Sequence, residues 1–351
     1  MSAISRTPLC TVPVPTCPVC GDEGIIRFSG VRDPLHYAGG QWTYRSCTVC
    51  DCLWLSPRPG PESVQSIYPP SYYTHDALPD YFGALFEQRQ NRLSRLRLEG
   101  KRAVLRHSYS YPLSSLGCLP MSISRAVSYA APIRRLVGYT VRFIPGPPGT
   151  LLEVGCGNGA FLRFMSRLGW EVWGIEPDQV ASRLAMQAGL NVIAQPLEAV
   201  SLDPESFDAI TLNHVLEHLP NPAETLRVLA TALRPGGTLV SISPNPRGLL
   251  VRVFGSAWRG LEPPRHFVLP GPRALRRALQ PMGLDARTWT SWRSADWVIR
   301  QSAGLRWRGD PQAFEVGRFW NLVHSAAWGA TAMMCGLGDE VVLVARKGPR
   351  Q

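Results

Sequence analysis

Two cysteine knuckles and two histidine-bearing segments carry the side chains best suited to chemistry. Cys17-Pro-Val-Cys20 and Cys47-Thr-Val-Cys50 are C-x₂-C pairs separated by residues 21–46. Four thiolates at that spacing are the ligand set of one tetrahedral zinc, with a rubredoxin-like iron site as the main competitor. Four cysteines close the coordination shell, so the expected metal is structural, folding a short ribbon that has little core of its own. Cys52 reads as a spare, and the isolated Cys10, Cys118, Cys156 and Cys335 as packing residues. The second group is His214-Val-Leu-Glu217-His218 with the distant Pro264-Arg265-His266. His218 or His266 could take a proton near neutral pH. Alternatively His214, Glu217, His218 and His266 gather a second, divalent metal that acidifies a bound hydroxyl. A third reading gives Glu217 and His218 only a packing role, tying the loop to the next helix. Arg265 would suit a phosphate or carboxylate on a substrate, or be a plain surface arginine.

The elements that must position these groups follow from pattern. Residues 1–16 read as a disordered tail and 17–60 as the cysteine-bearing ribbon, ending in LSPRPGP. Residues 61–147 form a connector that starts with the aromatic YPPSYYTH and turns helical from about Tyr81 to Arg106. Leu85, Phe86, Leu93, Leu96, Ala103 and Val104 recur at helical spacing there, and the other face is basic. A second helical stretch is predicted over 121–142. After IPGPPGT the pattern becomes alternating strand and helix over 148–351, the signature of a parallel sheet. Strands are predicted at Leu151–Val154, Glu171–Ile175, Asn191–Ala194, Phe207–Asn213, Thr238–Ser243, about Ala286–Trp292 and Glu340–Ala345. Asn221, Pro222 and Glu224 mark a helix start, and Arg234-Pro235-Gly236-Gly237 reads as a breaker run. The fold class is therefore α/β, a Rossmann-like, seven-stranded, mostly parallel sheet behind a small ribbon and a helical connector.

Size and composition agree with two globular domains: the chain has 351 residues, 45% of them hydrophobic. The first twenty residues lack the apolar core of an export signal, so the cysteines are expected to be reduced or metal-bound in a cytoplasmic protein. A formal charge of +11 suits RNA, an anionic membrane surface or a phosphorylated substrate and selects none of them. The stretch Phe319–Leu337 is too polar for a confident membrane span. Together with the basic helix it fits a peripheral contact at the inner membrane face.

LLEVGCGNGAF, residues 151–161, runs from a hydrophobic strand into Gly155, Gly157 and Gly159 and then a helix. Glycines there keep side chains away from a cofactor lying against the turn. Glu176 closes the second strand about twenty residues on, where it can accept hydrogen bonds from ribose hydroxyls. With GWEVWGIEPD, FDAITLNHVLEHLPNP, LRPGGTLVSISPNP, LEPPRHFVLPGPRALRRAL and GDEVVLVARK in that order, the region from Thr150 to about Met282 and the closing strand resemble class I S-adenosylmethionine (SAM)-dependent methyltransferases. The resemblance is to enzymes found among bacterial surface-polysaccharide genes, whose relatives include ubiquinone-pathway O-methyltransferases.

That resemblance implies the following roles. SAM is the cofactor; Glu153 helps anchor its methionine amino group, and Gly155, Cys156 and Gly157 line the methionine moiety. Glu176 holds the ribose, Leu197 or Glu198 approaches the adenine, and Asn213 lies close to the methyl donor. Gln195-Pro196 stands where relatives commonly have Gly-Asp, which leaves the adenine contact open. The histidine segments resemble the E-x-x-E-H plus distal histidine of metal-dependent small-RNA methyltransferases and some quinone relatives, with His214 in place of the first glutamate. Both histidine segments follow carboxyl ends of strands, the edge where open α/β sheets bind ligands. The acceptor expected from the resemblance is a hydroxyl of a saccharide or lipid-linked saccharide. The alternatives are RNA read with the help of the zinc module, or a small quinone-like molecule. RNA ranks below a glycan or small-molecule acceptor, because the connector's aromatics are clustered rather than interleaved with basic residues. The sequence does not reveal the oligomeric state.

Overall fold

The computed structural model describes residues 9–68, Leu85, 91–312 and 336–349. The chain opens with β1 (Thr11–Val12), β2 (Ile25–Val31), β3 (Trp42–Ser46), β4 (Leu53–Leu55) and β5 (Arg58–Pro59). Helices α1 (Arg92–Ser108), α2 (Met121–Tyr129) and α3 (Ala131–Gly138) follow. Then come β6 (Thr150–Val154), α4 (Ala160–Arg167), β7 (Glu171–Ile175), α5 (Gln179–Gln187), β8 (Asn191–Ile193) and β9 (Phe207–Asn213). The remainder is α6 (Pro222–Ala232), β10 (Leu233–Pro244), α7 (Leu249–Phe254), β11 (Val268–Leu269), α8 (Pro272–Leu279), β12 (Asp285–Ser291), α9 (Ala295–Arg308) and β13 (Glu340–Arg346).

A seven-stranded sheet has the order β12-β13-β10-β9-β6-β7-β8. Strand β6 pairs in parallel with both β7 and β9, and β7 pairs in parallel with β8. This is the Rossmann-like α/β fold that the strand–helix alternation predicts. Two strands, Glu171–Ile175 and Phe207–Asn213, have the predicted bounds. The fifth is longer than predicted. The breaker run ends α6 at Ala232, but its own residues continue as the start of β10. Gly236 adopts φ +80° there, and its N–H donates to Lys347 O at 3.0 Å while Lys347 N–H donates to Gly237 O at 3.0 Å. Paired backbone groups thus hold a proline–glycine run in a strand.

The described residues form two compact units. The first lies within Met1–Tyr72, Asn213–Val228 and Ser241–Leu343, the second within Tyr73–Leu212, Leu229–Val240 and Val344–Gln351. In the second unit, β6 buries Leu151, Leu152 and Val154 together, as a strand covered on both faces requires. Helix α4 buries Phe161, Leu162, Phe164 and Met165 and exposes Arg163 and Arg167, one apolar stripe at helical period. The helix predicted from Tyr81 is described from Arg92, where Asn91 caps it by accepting from Ser94 N–H at 2.8 Å. The predicted stretch 121–142 is two helices broken at Ala130, because Pro132 cannot continue the ladder of α2 but fits the first turn of α3.

In the first unit, the cysteine ribbon does not complete its own sheet. Its four strands run in the order β11-β4-β3-β2, and β11 comes from residues 268–269, with Val268 opposite Trp54 and Leu269 opposite Leu53. The ribbon's Trp42, Tyr44, Leu53, Trp54 and Leu55 share one apolar cluster with Leu250, Val251, Phe254, Trp258, Phe267 and Val268. A ribbon short of core thus finds it in the segment after β10. YPPSYYTH beyond Tyr68, and Phe319–Leu337 before Gly336, lie outside the described residues. No helix among the described residues is long and apolar enough to cross a membrane.

Candidate active site

The glycine loop of the second unit leaves β6 at Val154 and enters α4 at Ala160. Gly155, Gly157 and Gly159 have φ of +67°, +54° and +77°, a region L side chains rarely adopt. The three are not equivalent. A Cβ on Gly157 would meet nothing within 4 Å, so a space lies open beside the backbone. A Cβ on Gly159 would run into Leu190 and sit 3.1 Å from Ala185 Cβ. Gly159 therefore lets α4 pack against the α5 region, and the expectation that it clears space for a cofactor is corrected. Glu176 braces the loop: its Oε2 accepts from Gly157 N–H at 2.8 Å and its Oε1 from Asp178 N–H at 2.9 Å.

Glu153 is buried and paired with Arg142, while its Oε2 has no hydrogen-bond partner among the described residues. Burial lifts its carboxyl to about 6 against the opposing pull of Arg142. Arg142 itself, with φ +48°, lies over the Phe161 ring at 3.7 Å. Cys156 is buried, and Gly174 on β7 makes room for it: a Cβ there would lie 2.5 Å from Cys156 Sγ. Leu197 and Glu198 sit in a short helical turn after β8, Leu197 buried and Glu198 exposed. An open cradle beside Gly157, a buried Glu153 oxygen without a hydrogen-bond partner among the described residues and the Glu176 carboxylate bonded to the loop fit the cationic, hydroxyl-rich cofactor that the sequence implies. Asn213 belongs to the first unit, and its Oδ1 is buried without a hydrogen-bond partner among the described residues.

The first unit brings three of the four expected catalytic side chains together. Ligand atoms of Glu217, His218 and His266 lie within 4.8 Å of one another. The His218 and His266 rings meet edge to face, centroids 4.8 Å apart. Burial pushes both imidazoles down to about 4; for His218 the neighbouring His266 adds to this, and for His266 the Glu262 carboxylate resists it. Both are neutral near pH 7. His266 Nδ1 lies 2.8 Å from Gly260 O, a group that can only accept. Nδ1 therefore carries the proton and Nε2 the lone pair. His218 Nδ1 lies 3.1 Å from the hydroxyl of Tyr68.

His214 falls outside that trio. Its Nδ1 is 3.3 Å from Glu217 Oε1 and its Nε2 3.1 Å from Glu340 Oε1. Burial alone would lower its basicity, but the two carboxylates outweigh burial and raise it to about 10. A protonated imidazole neither accepts a proton nor ligates a metal. His214 instead holds Glu217, whose Oε2 is buried without a hydrogen-bond partner among the described residues. Arg265, expected to meet an anionic substrate, is fully buried, ion-paired with Asp33 and Glu262 and donating to Ile67 O at 2.8 Å. Its charge is committed inside the fold.

The cysteines gather as their spacing predicts. Cys17 and Cys50 Sγ atoms are 3.5 Å apart, Cys20 and Cys47 3.4 Å, and all four lie within 4.8 Å of one another. Sulfurs around a tetrahedral zinc sit about 3.8 Å apart, given Zn–S bonds of about 2.3 Å, so the set fits one such ion. Cys52 is fully buried and outside the foursome. Sequence reading missed Arg142, Gly174, Asp33, Tyr44 and Tyr68. Each acts on a partner 11 or more residues away, and nothing at its own position announces that.

A methyltransferase-domain family model matches residues 124–288. The ubiquinone biosynthesis O-methyltransferase of Aeromonas salmonicida is 33% identical over 183 residues, which cover 48% of this chain and 71% of that protein. The same enzyme of Serratia proteamaculans is 36% identical over 118 residues, 31% of this chain and 49% of that protein, so this match spans about half of the relative's length. A SAM-dependent methyltransferase of Archaeoglobus fulgidus superposes with a TM-score of 0.41 at 19% identity, covering 62% of this chain and 92% of that one.

Proposed function

The chain belongs to the class I SAM-dependent methyltransferases, and within that family we propose that it methylates a hydroxyl of a small-molecule acceptor. The observation that carries the acceptor class is the identity with ubiquinone biosynthesis O-methyltransferases over the catalytic region. When bound, SAM supplies an already activated methyl group, so the protein's tasks are alignment and proton removal. The glycine loop, Glu153 and Glu176 hold the donor. His266 Nε2, unprotonated and next to His218, takes the acceptor's proton. A second reading, favoured by the orphaned Glu217 Oε2, has Glu217, His218 and His266 hold one divalent cation that acidifies the hydroxyl. Zinc in the Cys17, Cys20, Cys47 and Cys50 set is structural in either case.

Catechol and methyl α-glucoside, each incubated with the purified protein and SAM, test the acceptor class by mass spectrometry. Methylated catechol with unmodified glucoside supports the proposal. The reverse outcome favours the saccharide acceptor expected from the sequence.

A further inference from the structure

Residues 258–267 form turns without a helix or strand, so their backbone must find partners elsewhere. Several come from the N-terminal segment. The Tyr44 hydroxyl reaches two carbonyls, Leu261 O and His266 O, the latter at 3.0 Å. A phenol has one proton and the carbonyls have none, so Tyr44 is the donor on which both converge. Leu55 N–H on β4 donates to Phe267 O at 2.8 Å, and Phe267 N–H passes on to Glu217 O at 2.7 Å. A continuous line of backbone bonds thus joins the ribbon, the His266 loop and the Glu217–His218 turn. Asp33 holds Arg265, the residue before His266. Tyr68, just past the ribbon, places its hydroxyl 3.1 Å from His218 Nδ1.

We propose that Tyr44 and Tyr68 are positioning residues for proton transfer, Tyr44 fixing the backbone of His266 and Tyr68 the ring and tautomer of His218. This rests on the reading that the histidine pair handles the acceptor's proton. It gives the N-terminal segment a role in the reaction: Tyr68 sets which nitrogen of His218 is presented, and Tyr44 fixes where His266 stands while Gly260 O holds its tautomer. Tyr44 acts through two carbonyls that phenylalanine would leave unpaired in a fully buried place. Tyr68 meets the imidazole through its hydroxyl, and phenylalanine keeps the half-buried ring in its place.

Tyr68→Phe and Tyr44→Phe in the full-length protein, with S-adenosylhomocysteine added, test this through the imidazole ¹⁵N shifts of the histidines. In the native protein His266 should show the Nδ1-protonated tautomer, and His218 one dominant tautomer. Tyr68→Phe should turn His218 into a mixture of tautomers and leave His266 unchanged. Tyr44→Phe should shift or broaden His266, and both variants should bind S-adenosylhomocysteine within about twofold of native. Unchanged His218 signals in Tyr68→Phe would overturn the proposal, even if Tyr44→Phe does not fold. The functional reading fails separately: tautomers that respond to the tyrosines, with full methyl transfer in His266→Ala, would leave the positioning intact and remove its catalytic meaning.

Discussion

The glycine loop and the histidine pair are built in opposite ways. The loop is local: one strand, a turn with three positive-φ glycines, and a glutamate at the end of the next strand. Its work is done by backbone shape, which a short run of sequence can specify. The histidine pair is assembled from segments near residues 44, 68, 217 and 266, and burial keeps both imidazoles neutral against the pull of nearby carboxylates. A site of the first kind is damaged from its own strand, turn and adjoining carboxylates, whereas a site of the second kind can be damaged from the N-terminal ribbon.

The contrast is tested hardest at His266. His266→Ala should lower turnover by roughly 10²–10⁴-fold, the usual contribution of a general base, while leaving S-adenosylhomocysteine affinity within about twofold. Partial recovery at high pH points to the base reading. Inhibition of the native enzyme by a chelator, reversed by manganese while the metal content of the cysteine foursome is unchanged, points to the divalent ion instead. Cys17→Ser/Cys20→Ser should carry no zinc by elemental analysis and should lose turnover more than cofactor affinity. Equal loss of both would erase the distinction between local and assembled sites.

What was legible in the sequence follows the same division. The parallel sheet, the glycine loop, Glu176 and the cysteine foursome all announce themselves within short windows, because strand period, turn geometry and ligand spacing are local constraints. His218 and His266 were legible as chemistry and as neighbours at one strand edge, but their edge-to-face packing and the tyrosines beside them were not. His214 was misread, because the two carboxylates that protonate it include Glu340, more than 120 residues away. Arg265 was misread for the same reason: Asp33 meets it from the ribbon. Gly159 belonged to the motif, yet its role is set by Leu190 and Ala185.

Smaller effects sharpen the account of the loop. Below pH 6, S-adenosylhomocysteine should bind about tenfold more weakly per pH unit, because the ligand's ammonium needs ionised Glu153, whose carboxyl burial raises to about 6. The direction follows from the raised value: protonating Glu153 favours the unliganded form, so affinity is retained above pH 6 and lost as pH falls. In Glu153→Gln that pH dependence should vanish at a uniformly lower affinity, and calorimetry from pH 5 to 8 reads both. Gly159→Ala should destabilise the fold by about 1–3 kcal/mol in urea unfolding, through crowding at Leu190 and a strained φ, with little change in affinity once folded.

The most direct measurement is calorimetry of S-adenosylhomocysteine binding to Gly157→Val beside His266→Ala and the native protein. Position 157 faces open space and has φ +54°, so a branched side chain would fill the cradle and strain the turn at once. The account predicts a loss of at least about a hundredfold in Gly157→Val, roughly 2.8 kcal/mol, with His266→Ala indistinguishable from native. Native affinity in Gly157→Val would contradict it, because the donor would then be held somewhere other than the glycine loop.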